Sequence, residues 1–297
     1  WVINTSNNVK IQGDLTATTK DIRLNQTGAT GNVIISAKVT AQLGTIKLKT
    51  AGDIKQTVGD ISTETAGKEI EIESTSGSFI QADGSRIVTN NSEISISVKG
   101  GIEVASLNAN VANISLNAHT ASITDSGDSD IDIQAGKLNF TSHLGFGIDT
   151  NDIDTRIDEV TGRVASGTIN IQEQDSLSII EQGLKVTSNG NILINNHSSD
   201  ISVVAEIDVA QTGHILINAQ NGTLNIAANI ATHSDKAISL QAQNNINQFA
   251  SNTISTVNGS VDLQAGGSIK QTDSALIDVG TNGNVRLNAH DSIELAA

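Results

Sequence analysis

Residues 213–228 read GHILINAQNGTLNIAA, and the same shape returns as KAISLQAQNNINQFA at 236–250, GSVDLQAGGSIKQT at 259–272 and GNVRLNAHDSIELAA at 283–297. Each copy opens on two aliphatic residues flanking one other residue: Ile215 and Ile217, Ile238 and Leu240, Val261 and Leu263, Val285 and Leu287. An apolar residue at every second position is the signature of a strand with one buried face. Its return at a fixed interval marks a solenoid. Working outward toward the N-terminus, the leading aliphatic residue recurs at Ile192, Ile169, Ile131, Ile114, Ile94, Ile70, Ile46 and Ile22. The interval is 23 or 24 residues throughout, except between Ile94 and Ile169, where the steps are 20, 17 and 38.

A second aliphatic position follows each leading pair by about eight residues, as at Ile54, Ile102, Leu177, Leu224, Ile269 and Ile293. A third follows by about fifteen, as at Ile61, Leu184, Ile207, Ile230, Ile254 and Ile277. Three short strands in such an interval leave two or three residues per corner, too few for a crossover helix, so the chain must wind rather than return to a flat sheet. The expected fold is an all-β, right-handed parallel β-helix of about 12 coils of roughly 23 residues, with three short strands per coil; the handedness follows from the general rule for parallel crossovers. At about 4.8 Å per coil this gives a stack on the order of 60 Å long. Corners carry Asn-Gly at Asn189, Asn221, Asn258 and Asn282, a turn-forming pair. The expected organisation is coils over 1–139, an irregular loop or bulged coil over 140–166, and coils over 167–297.

Composition agrees with a narrow, uniform core. The 297 residues include no Pro, Cys, Met or Tyr, and the only aromatic residues besides His are Trp1, Phe79, Phe140, Phe146 and Phe249. Packing therefore falls to Ile, Leu, Val and Ala, and the missing prolines suit a backbone hydrogen-bonded almost everywhere. Without cysteine there is no disulfide. The net charge of −15 repels nucleic acid and anionic lipid, so no nucleic-acid partner is expected, and no apolar run suggests membrane insertion. The start at Trp1 and the lack of Met read as a fragment, a processed product or an incompletely known sequence.

Three residues after the leading position stand Asn25, Asn117, Gln134, Gln172, Asn195, Asn218, Gln241, Gln264 and Asn288, which resembles amide ladders running from coil to coil. One residue after it, Lys47 is expected beside Glu71. Candidate sites are few, and no catalytic or cofactor-binding residue is assigned. Asp128, Asp130 and Asp132, with Asp125, form a D-x-D-x-D run that is the candidate for calcium. Loop position 6 is Ile133 instead of Gly and position 12 is Asn139 instead of Glu, so the competing reading is a solvated acidic corner. Asp149, Asp152, Asp154, Asp158 and Glu159, with Arg156 and Arg163, are what a polysaccharide-cleaving β-helix would use for acid–base chemistry, set against a plain surface loop. The six histidines, His119, His143, His197, His214, His233 and His290, are too scattered to stack as metal ligands.

GDIKQT at Gly52, GSIKQT at Gly267 and GNVRLNAHDSIEL at Gly283 resemble the shaft repeats of filamentous-haemagglutinin-like large exoproteins, exported adhesins of the two-partner secretion type. The resemblance implies a structural shaft with no catalytic residues, placed extracellularly or on the cell surface. Its expected partners are a host or neighbouring-cell surface or glycan. Head-to-tail self-association into a filament, and a polysaccharide-degrading enzyme, are the alternative readings.

Overall fold

Strands of three to five residues alternate with tight corners because the aliphatic residues fall at period two in short runs. The computed structural model describes residues 1–127, 130–148, 151–249 and 251–295. Among these every regular element is a strand, and the parallel strands stack as a β-solenoid of about 13 turns at roughly 23-residue spacing. The chain divides into two compact units, residues 1–144 and 145–297.

In the first unit the leading strands Ile22–Gln26, Ile46–Thr50, Ile70–Ser74, Ile94–Val98 and Asn113–Ala118 pair in sequence. The second column runs Val9–Ile11, Val33–Ile35, Ile54–Gln56, Phe79–Gln81, Ile102–Val104 and Ile123–Asp125. The third runs Leu15–Ala17, Val39–Ala41, Asp60–Thr63, Arg86–Thr89 and Leu107–Asn108. The second unit repeats the plan, with Ile169–Glu173, Ile192–Asn196, Ile215–Ala219, Ile238–Ala242, Val261–Ala265 and Val285–Ala289 leading. Counting from the leading aliphatic residue, which is Ile114 in Asn113–Ala118, positions 0, +2 and +4 face inward and +1, +3 and +5 outward; in the last strand, Val285–Ala289, the inward positions are not buried. Ile46, Ile70, Ile94, Ile192 and Ile238 are fully buried. Each such side chain contributes about 1.5–3 kcal/mol of burial. Phe79, Phe140 and Phe146 are buried among them, while Trp1 and Phe249 are exposed.

The register differs from the sequence expectation between Ile94 and Ile169. Ile131 and Ile133 do not lead a coil: Ile133 pairs with Leu107 in the third column, and Leu138 and Phe140 pair with Ile114 and Leu116 in the first. The strand Ile133–Ser142 thus serves two columns in succession. Gln134 accordingly leaves the +3 amide column, where Thr141 stands beside Asn117, and meets Asn108 instead, whose Nδ2 donates to Gln134 Oε1 at 3.2 Å. Phe140, expected to fit no column, is a buried core residue. In the second unit, residues 153–164 form one long strand, Ile153–Val164, with a register shift between Val160 and Gly162.

Corner side chains tie successive coils together. The backbone N–H of Asn32 donates to Asn8 Oδ1 at 2.9 Å, that of Asp53 to Asn32 Oδ1 at 2.7 Å, that of Ser78 to Asp53 Oδ1 at 3.0 Å, and that of Gly101 to Ser78 Oγ at 3.1 Å. In the second unit Asn191, Asp200, Asn229 and Asn245 accept in the same way from His214, Thr223, Thr253 and Ser268. Lys68 runs the other way, its N–H donating to Ser92 Oγ at 3.0 Å.

Candidate functional site

The acidic run divides between buried and exposed positions. Asp125 ends an inward-facing strand and is buried, Asp132 is fully buried, and Asp130 is exposed. Asp128 and Asp149 lie outside the described residues. Among the described residues no three His, Cys, Asp or Glu side chains gather as a metal-binding set. Along Ile153–Val164, Asp154, Arg156 and Asp158 take successive outward positions while Ile153, Thr155 and Ile157 point in. These acids therefore line one strand rather than oppose one another across a cleft. Arg156 lies 3.7 Å from Asp175 and 3.4 Å from Gln174 Oε1. Asp152, half-buried, precedes the strand, and Glu159 and Arg163 are exposed on it. The histidines make separate contacts: His119 with Ser97, His197 with Gln220, His214 with the Ala237 N–H, His233 with Asp208 and His290 with Asp291.

Two inward-facing polar arrangements were not anticipated from the sequence. The first explains the glutamine of the IKQT motifs. Gln56 and Gln81 are fully buried at the end of second-column strands. Gln81 Nε2 donates to Gln56 Oε1 at 3.3 Å and to the carbonyls of Ser85 and Ser106, while Gln81 Oε1 accepts the N–H groups of Ala105 and Ser106 at 2.9 and 3.1 Å. Gln271 and Gln248 repeat this in the second unit, with Gln271 Nε2 donating to Gln248 Oε1 at 3.2 Å. Gln56, Gln81 and Gln248 thereby satisfy corner backbone groups that are shielded from water, while Gln271 is half-buried.

The second is Glu173, fully buried at the +4 position of its strand. Thr155 Oγ1 donates to its Oε2 at 2.8 Å, the N–H groups of Gln174 and Asp175 donate to its Oε1 at 2.8 Å each, and the Ile157 N–H reaches both oxygens at 3.3 Å. Burial pushes the carboxyl up to about 7, against the donors, which favour the charged form. One coil on, Asn196 closes the following turn by accepting from the Ser198 and Ser199 N–H groups at 3.0 and 3.1 Å.

Outward faces differ between the units. In the first, Lys47 Nζ meets Glu71 at 2.6 Å, as the register expectation required, and Lys49 meets Glu73 at 2.7 Å. Hydrogen bonding to Glu71 and Glu69 raises the Lys47 pKa. In the second, the +3 column is amide in six successive leading strands, Gln172, Asn195, Asn218, Gln241, Gln264 and Asn288. Within it Asn218 Nδ2 donates to Asn195 Oδ1 at 3.4 Å. A notch of about 480 Å³ opens there, with Gly266 among its lining residues. Comparison with models of known protein families, with curated proteins and with solved structures gives no match.

Proposed function

We propose that this chain is a structural spacer, the β-helical shaft of a bacterial cell-surface or secreted adhesin that holds contact surfaces away from the cell that makes it. The observation that carries the reading is where the polar groups are spent. Corner Asn and Asp side chains bond to the next coil, and buried glutamines close the corners, so both serve continuation of the stack. The resemblance of the IKQT-bearing repeats to exoprotein shafts supports the same assignment, as does an acidic surface that keeps neighbouring shafts apart. Its partners are a host or neighbouring-cell surface.

An immunoblot of source cells before and after external protease treatment, run beside the culture medium, tests it. The expected result is a shaved or released band far larger than the 30.8 kDa of this chain. A product of that size sedimenting as filaments would replace the shaft by a polymer of stacked copies. A soluble monomer of that size, protected inside the cell, would refute both.

A further inference from the structure

The notch on the outward face of the second unit lies where a glycine interrupts the +5 column. At the +5 position Gly266 stands between Gln243 and His290 of the adjacent coils, and the +3 carboxamides of Gln241, Gln264 and Asn288 flank it. Its volume of about 480 Å³ is open to solvent along the face. The backbone requires the glycine, because a Cβ there would lie 2.1 Å from the Gln243 carbonyl oxygen. The opening is therefore built into the coil.

The lining has hydrogen-bonding capacity to spare. Gln243, Gln264 and Asn288 make no side-chain hydrogen bond to another described residue, and Gln241 makes one, a 3.3 Å donation to Ser239 Oγ. Each carboxamide offers two donors and an acceptor without charge. Successive coils set these groups about 4.8 Å apart, close to the length of one sugar unit in an extended glycan. The lining contains no Lys or Arg, and Asp262 nearby is held by Arg286. With a net charge of −15 over the chain, an anionic ligand is repelled. A hydroxyl group both donates and accepts, which is what a carboxamide complements.

We propose that the notch over Gly266 binds one or two units of a neutral glycan lying along the stack. The proposal concerns this face alone and holds whether or not the chain is a shaft. A few uncharged hydrogen bonds support a dissociation constant on the order of 1 mM at one notch.

The test is ¹⁵N NMR of the full chain titrated with neutral hexose and N-acetylhexosamine tetrasaccharides, with a sulfated tetrasaccharide as the anionic comparator. Saturable shifts of the side-chain NH2 signals of Gln241, Gln243 and Gln264 are expected with a neutral probe. Gln243→Ala and Gln264→Ala, both at exposed positions, are each expected to weaken binding about fivefold with the far-UV spectrum unchanged. Silence of these signals up to about 10 mM neutral probe, shifts confined to other residues, or preference for the sulfated probe would overturn the assignment. So would movement of the same signals with protein concentration alone, which would make the face a contact between copies.

Discussion

Replacing Glu173 by Gln tests whether a carboxyl group with no solvent exposure makes the second unit sensitive to pH. The fold raises the pKa of this residue from 4.5 to about 7 by burial. Below pH 4.5 the residue is protonated in the folded and unfolded chain alike and costs nothing. As pH rises beyond that, the unfolded chain releases its proton while the folded chain keeps it, so stability falls until the folded carboxyl also ionises near 7. At about 1.4 kcal/mol per tenfold change in proton affinity, the loss across that window is about 3 kcal/mol. The Gln side chain has nearly the same shape and does not titrate. Its Oε1 can keep the Gln174 and Asp175 N–H groups, and its Nε2 can donate to Thr155 Oγ1, whose own hydroxyl already has the Gln172 carbonyl at 3.1 Å. Denaturant unfolding of both proteins from about pH 4 to about pH 8.5, paired with ¹³C NMR of the Glu173 carboxyl, measures the effect. The stability difference, variant minus wild type, is expected to grow by about 3 kcal/mol toward high pH, with all other titrating groups cancelling. A difference that stays flat, or a Glu173 carboxyl titrating near its ordinary 4.5, would refute the argument.

Gln81→Ala is expected to cost about 3 kcal/mol in denaturant unfolding, because the Ala105 and Ser106 N–H groups lose their acceptor inside the corner. A loss below about 1 kcal/mol would mean that water reaches the corner and replaces the amide. Ile217→Ala empties a fully buried position and is expected to cost about 2–5 kcal/mol. Hydrogen exchange should accelerate first in the strands paired with it, Ile192–Asn196 and Ile238–Ala242. Lys47→Ala, by contrast, removes a half-exposed ion pair with Glu71 and should change stability by less than about 1 kcal/mol, a difference that vanishes in high salt.

The columns were legible because Ile, Leu and Val repeat at period two and at a nearly constant coil length. The reading slipped where those two cues parted. Ile131-Asp132-Ile133 has the same apolar-x-apolar form as a leading pair, and that form does not say which of the three columns a strand belongs to. The true leading pair of that coil, Leu138 and Phe140, was masked by a phenylalanine in an aliphatic column and by one strand crossing a corner without a break. The buried polar residues were hidden by their chemistry rather than by their position. Ile169, Ile171 and Glu173 keep strict alternation, so parity alone places the glutamate inward. The same holds for Gln56, two residues after Ile54. The notch was illegible for a different reason: it is the space left between side chains of successive coils, which no single residue announces.

The corner bonds also have a direction. At Asn8, Asn32, Asp53 and Ser78 the acceptor belongs to the earlier coil and the N–H to the later one. At these corners each turn of chain leaves behind an acceptor, a seat that the next turn occupies, while Lys68, donating forward to Ser92, is an exception. An error at one of these corners is inherited downstream: the coil that carries the altered residue keeps its own seat, and its successor loses one.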